Sequence, residues 1–311
     1  MRWSATRIAC GVWLATSLAI VPTYSLAASN LLERHAWLKL RIEQGRIRTT
    51  APPGQCLSVC DERLGQTERL AVDYKSGPLQ LRYERKTSEG RIIFQVNGST
   101  CCQIQWESSV GIGPLYFEQV PGQPVRVRLY ENGSEKHYQA TGIWHLLSIY
   151  PDVRQELVRC LEQLRPDWQL AYKLQQLEEQ LQKRWPEVRI EDVRQCVARL
   201  GDSRYAVRNA ADRQLRQMGL EILPLLDQID DQTLGCEQRF RIARIRNSLL
   251  PLTEDTPDQV ASWLLVDEGY WQARSLASHG SEREWVRAHL NLLRGDSASP
   301  SFPRVARHVQ P

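Results

Sequence analysis

Apolar residues change their period once along this chain, at Gly142, and that change constrains the fold more than any other feature. From about residue 37 to 139 the period is two. Leu38, Leu40 and Ile42 alternate with Lys39, Arg41 and Glu43, and Gly45 permits a turn before Arg46-Ile47-Arg48. Leu79, Leu81 and Tyr83 alternate with Gln80 and Arg82. The β-branched run Ile92 to Val96 ends in Asn97-Gly98, a strong hairpin turn signal, with a short run from Gln103 to Trp106 beyond it. Val125, Val127 and Leu129 alternate with Arg126 and Arg128, and Asn132-Gly133 marks a further turn before His137 to Ala140. Roughly six to eight short strands with one wet face predict an antiparallel β-sandwich or a partly open barrel.

Beyond Gly142 the period becomes helical. Ile143 to Leu147 begins a helix, Pro151 restarts one, and Val153, Leu157, Cys160, Leu161 and Leu164 recur at helical spacing. Leu170, Leu174, Leu177 and Leu181 form a narrow seam on the next helix, which Trp185-Pro186 ends. Residues 190–200 turn Val193, Cys196, Val197 and Leu200 inward. Two more helical segments are expected around residues 259–266 and 281–293. The chain therefore reads as a two-part α+β protein, with a β domain over residues 28–142 and a helical domain over 143–294.

The ends read differently. Arg2 and Arg7, an apolar stretch over residues 8–21, and Ser25-Leu26-Ala27 predict a secretory signal over residues 1–27 and export to the periplasm or beyond. The apolar run is short for a membrane span, so membrane attachment is expected only if this segment is retained as an anchor. Ser297, Ser299, Pro300 and Pro303 predict a disordered tail over residues 295–311. A net charge of +4 on 311 residues is mild and selects no strongly acidic partner.

One stretch carries a family signature. Residues 200–226 read as a helix, a stop at Gly219 and a second, very apolar helix with Pro224 near its start. Asp202, Val207, Arg208, Ala210, Ala211, Leu215 and Gly219, followed by Leu223-Pro224-Leu225-Leu226, resemble a HEAT-like helical-repeat unit of the kind found in secreted bacterial proteins. The resemblance covers about residues 200–250. It implies that Asp202 and Arg208 make structural contacts between neighbouring helices, and that the stacked helices present a surface to partners. No second copy recurs at a fixed period, so the flanking helices are expected to act as caps. The helix over residues 235–249 carries two apolar stripes, Cys236-Phe240-Ala243 and Ile242-Ile245-Leu249, with arginines between them. That pattern predicts a middle-layer helix, covered on both sides.

Motifs for chemistry are absent. No phosphate-binding loop, nucleophile elbow, zinc-protease helix or calcium loop occurs, and Gly111-Ile112-Gly113 is a turn, not a dinucleotide fingerprint. The sequence thus implies no catalytic residue, no cofactor and no metal. Cys56, Cys60, Cys101 and Cys102 are the sharpest local cluster. In an exported protein, disulfides between the Cys56/Cys60 segment and Cys101/Cys102 are expected, with buried free thiols and a metal site as the alternatives. His145 beside Trp144 reads as a core or boundary residue. The arginines at 204–216 and 239–246 are offset by Asp202, Asp212, Glu221, Asp227, Asp230, Asp231 and Glu237, and export argues against a nucleic-acid partner. Tyr74, Tyr83, Trp106, Tyr116, Phe117 and Tyr130 are candidates for a carbohydrate-binding face, although most follow the alternation of core residues.

Three functions follow. The first is a non-enzymatic interaction or scaffold protein of the cell envelope, holding a protein partner on its helical region. The second is a carbohydrate- or envelope-polymer-binding module in the β domain, and the third is an unrecognised hydrolase.

Overall fold

The computed structural model describes residues 30–63, 65–109, 113–131, 133–184, 188–249 and 254–294. The expected signal segment over 1–27 and tail over 295–311 lie outside the described residues, as do Gly111-Ile112, Asn132 and Trp185-Pro186.

The protein is an α+β fold in two parts, strands first and helices after. A short helix α1 (Leu31–Arg34), closed by a capping box between Asn30 and Glu33, leads into the hairpin β1 (Lys39–Glu43) and β2 (Arg46–Thr50). Gln44 and Gly45 both adopt positive φ, the geometry of a tight two-residue hairpin turn. Eight further strands form one antiparallel sheet: β3 (Cys56–Arg63), β4 (Gln66–Asp73), β5 (Gln80–Thr87), β6 (Gly90–Asn97), β7 (Cys101–Ser108), β8 (Leu115–Gln119), β9 (Val125–Glu131) and β10 (Ser134–Ala140). Their spatial order is their chain order, so neighbours in the sheet are consecutive in the chain.

The strands outnumber the expectation. β3, β4 and β8 are the ones the alternation did not mark individually. β3 is an edge strand whose Cys56, Ser58 and Cys60 face water while Leu57 and Val59 are only half-buried, so its apolar signal is weak. At the start of β6, Gly90 has φ of 152°, and a Cβ there would meet the Glu107 carbonyl oxygen at 2.3 Å. Only glycine lets β6 and β7 approach so closely.

The helices are α2 (Ile143–Ile149), α3 (Pro151–Leu164), α4 (Leu170–Lys183), α5 (Ile190–Leu200), α6 (Tyr205–Gln217), α7 (Ile222–Asp227), α8 (Cys236–Leu249), α9 (Pro257–Leu264), α10 (Glu268–Ala277) and α11 (Gly280–Arg294). Where the sequence marks a seam, the seam is inside: Leu170, Leu174, Leu177 and Leu181 are all buried. α10 was not distinguished in the sequence. Its Tyr270 and Trp271 are buried, and Trp271 stacks on His289 of α11 at 3.8 Å between centroids.

Two apolar cores organise these elements. The larger takes one face of the sheet, through Tyr83, Phe94, Trp106 and Phe117, and joins it to the hairpin and to α2–α4 and α9–α11. Trp106 Nε1 donates to Glu156 of α3 at 3.3 Å, so the sheet and these helices are one packed body. The smaller core belongs to α5–α8, through Val193, Val197, Leu200, Leu215, Ile222, Leu226, Ile242 and Ile245.

One expectation for the helices is overturned. α8 is not covered on both sides. Ile242 and Ile245 are buried, whereas Cys236, Phe240 and Ala243 are exposed, with Phe240 at 65%. The reason is that α5, α6 and α7 share their core with the Ile242 side of α8, which leaves the Phe240 side turned to solvent.

Candidate functional site

Two surfaces stand out, one on each part of the fold. The first is the face of the sheet turned away from the core. Alternation places the polar residues of every strand there, and the antiparallel register aligns them in rows. One row runs Arg82, Gln95, Gln103, Glu118, Arg126, Gln139, each directly opposite the next. The adjacent row runs Arg69, Glu84, Ile93, Gln105, Tyr116, Arg128, His137. Apart from Arg69 and Glu84, these residues line a trough of about 840 Å³ over β5–β10. A second hollow of about 650 Å³ continues it over β3–β7 and shares Arg82, Gln95 and Gln103 with it. The sequence contained this face as the polar half of each alternation, but the rows exist only once register is fixed.

No aromatic row lines this face, and most of the six candidates are core, as their alternation implies. Tyr83, Trp106 and Phe117 are buried in the core, and Tyr74 is half-buried against it. Tyr116 and Tyr130 alone of the six candidates stand on the polar face. They meet edge to face at 5.9 Å, and the Arg128 guanidinium lies over the Tyr116 ring at 5.1 Å.

The cysteine expectation is also corrected. Cys56, Cys60, Cys101 and Cys102 are free thiols. Cys56 and Cys101 do share a row, through Asp73, Gln80 and Asn97, but three strands lie between them. Four strand spacings amount to about 19 Å along the sheet, and a disulfide requires Cα atoms within roughly 7 Å. Cys102 points to the opposite face, where burial pushes its thiol pKa up. Among the described residues no group of three or more His, Cys, Asp or Glu side chains is placed to hold a metal ion.

The second surface lies on α6 and α8. Tyr205 opens α6 and is 65% exposed, as is Phe240 on α8. Arg208 and Arg241 stand over the Tyr205 ring at 5.8 and 6.0 Å. Beneath them, the buried Asp212 carboxylate is shared by three guanidinium groups: Arg216 at 2.6 Å, Arg244 at 3.3 Å and Arg241 at 3.8 Å. Arg241 also pairs with Glu237 at 2.6 Å, so two acids face Arg208, Arg216, Arg241 and Arg244 and the patch stays cationic; Arg239 adds an exposed guanidinium whose hydrogen bond goes to Cys236 Sγ.

Asp202 and Arg208 sit at the edge of this surface. The Asp202 carboxylate accepts from the Arg204 backbone N–H at 2.8 Å and from the Arg204 side chain. Arg208 donates to the Asp202 and Ser203 carbonyl oxygens at 2.8 Å and approaches Glu237 of α8 at 3.7 Å. Their contacts fasten the turn before α6 and reach one neighbouring helix.

Other polar groups were invisible in the sequence because their partners are remote. Asp255 is 1% exposed and accepts from the Gln44 and Gly45 N–H groups and from Trp144 Nε1, at 2.6, 2.7 and 2.7 Å. Burial pushes its pKa up to about 6 against those three bonds. His145 donates to Asp267 at 2.9 Å, and Asp267 also caps α10 through the Tyr270 N–H. Burial pushes the Asp267 carboxyl up, but His145 and the N–H groups of Tyr270 and Gly269 outweigh it and hold it below the usual range. His289 is fully buried and donates to the Leu265 carbonyl at 2.7 Å; burial lowers its pKa to about 4. These groups clamp elements together within the larger core.

No described helix is long and apolar enough to cross a membrane. No protein-family model, no curated protein and no solved structure matches the chain.

Proposed function

We propose that this chain is a non-catalytic interaction protein of the cell envelope, which holds a protein partner on the α6–α8 surface. The observation that carries the reading is the uncovered apolar stripe of α8. A stripe of Cys236, Phe240 and Ala243 at helical spacing is written for burial, yet it faces solvent beside an exposed tyrosine. In a HEAT-like stack such a stripe is where the next layer packs. Tyrosine and arginine around an open aromatic are also the side chains that concentrate binding energy at protein interfaces. The excess of guanidinium groups around Asp212 and Arg239 selects a partner whose contacting face is acidic.

A photo-reactive residue replacing Phe240 in the full chain tests this in cells that export it. A discrete protein adduct is expected, lost when Tyr205→Ser and Arg239→Glu are added. A control probe replacing Arg63 on β3 should give none. No adduct at position 240, or the same adduct from position 63, overturns the proposal.

A further inference from the structure

The polar face of the sheet is independent of the α6–α8 surface and points to a different ligand. We propose that it is a binding trough for an anionic polysaccharide laid across the strands. Three observations carry this.

The first is shape. The two hollows share Arg82, Gln95 and Gln103, so the concavity runs without interruption from β3 to β10. Seven strand spacings make it about 33 Å long. That length suits a chain of several units, not a small molecule enclosed in a pocket.

The second is the spacing and type of donors. Along the row from Arg82 to Gln139, each side chain stands one strand from the next, about 4.8 Å, close to the advance of one ring in an extended pyranose chain. Amide side chains both donate and accept, so they match neighbouring hydroxyl groups, each of which does the same. Arg82, Gln95 and Gln139 make no side-chain hydrogen bond or ion pair among the described residues. Gln103 makes a long one, 3.3 Å to Glu118. These groups are available to a ligand without breaking the fold.

The third is charge. The two hollows are lined by Arg82, Arg126 and Arg128 against Glu118 and Asp73, with Glu135 3.5 Å from Arg128 at the margin. The Arg126–Glu118 pair is long at 3.8 Å and solvent-exposed, so it offsets little. Arg82, which has no ionic partner among the described residues, selects carboxylate-bearing sugars over neutral ones.

Competing occupants fit worse. A single-stranded nucleic acid needs successive stacking platforms, and among the described residues this face offers Tyr116, Tyr130 and His137, all at one side. An extended peptide adds to a sheet edge, where backbone groups are free, and does not lie across a face.

The test is calorimetric titration of the full chain with octagalacturonate, and with oligomers of alginate and hyaluronate. Binding to at least one of these is expected, with dextran silent. Arg82→Glu with Arg126→Glu should weaken it at least tenfold, and Gln95→Ala with Gln103→Ala several-fold at unchanged thermal midpoint. The Tyr205→Ser/Arg239→Glu variant should bind as the parent does, which separates this surface from the α6–α8 surface. The proposal is overturned if all three acidic oligomers fail to bind at millimolar concentration. Equal binding of dextran, insensitivity to both sheet-face variants, or tighter binding of an eight-nucleotide thymidine strand overturns it as well.

Discussion

Asp255 and His289 show how two buried residues can carry opposite pH dependences within one core. The folded state holds the Asp255 proton more tightly than the unfolded chain does, with a pKa near 6 against an ordinary 3.8. Its contribution to stability is therefore full below the unfolded value and is lost as pH rises through about 6. His289 runs the other way. Its folded pKa of about 4 lies below the ordinary 6.5, so its contribution is full above 6.5 and is lost as pH falls towards 4. Between about pH 7 and pH 4.5 each swing is on the order of 2 kcal/mol, and in the parent the two oppose each other. His289→Gln, which keeps a donor for the Leu265 carbonyl, should leave a protein that gains stability on acidification over this range. Asp255→Asn should leave one that loses it, on top of a loss of about 1–3 kcal/mol at neutral pH from a donor left facing an amide N–H₂. Urea denaturation at the two pH values reads the sign of each slope, and slopes of the same sign in both variants would refute the assignment. Neither residue was legible in the sequence. Asp255 reaches Gln44 and Gly45 across 211 and 210 positions of chain, and no local pattern encodes such a partner.

The elements themselves were largely legible, because a strand or helix is written in a short window. The Leu170–Leu181 seam and the Ile92–Val96 strand fall where their periods place them. β3 was harder to read because an edge strand buries too little to force alternation, and α10 because its buried aromatics Tyr270 and Trp271 are adjacent, not spaced by a turn. α8 is the instructive case: both of its stripes were read correctly as apolar, but only one is covered. The two stripes should therefore answer differently to substitution. Ile245→Ala removes fully buried methyl groups and should cost about 2–5 kcal/mol, whereas Phe240→Ser should stay within about 0.5 kcal/mol of the parent. Chemical denaturation of the purified chain measures both, and an equal cost at the two sites would show that Phe240 is packed in the free protein.

At the scale of the whole molecule, the cores do not follow the change of period at Gly142. Helices α2–α4 and α9–α11 share a core with the sheet, and α5–α8 hold a separate one. The chain leaves the larger core after α4 and returns to it at α9. A unit with its own core, which the rest touches through Val266, Leu293 and the contact of residues 219–221 with α9 besides its two ends, opens on its own. Leu215→Ala, at a fully buried position of α6, should lower hydrogen-exchange protection across α5–α8 and leave the amides of β6–β9 unchanged. Equal loss of protection in both regions would show a single cooperative unit.

The sequence by itself determined the two periods, the strands and helices they imply, and the apolar and polar face of each. These are local properties, set by residues within one or two turns or pleats. Tertiary structure alone decided which faces meet. It aligned Arg82, Gln95, Gln103, Glu118, Arg126 and Gln139 into one row, placed three strands between Cys56 and Cys101, and left Phe240 in water. Cross-strand register and helix coverage depend on contacts between distant parts of the chain, and both candidate binding surfaces are made of such contacts.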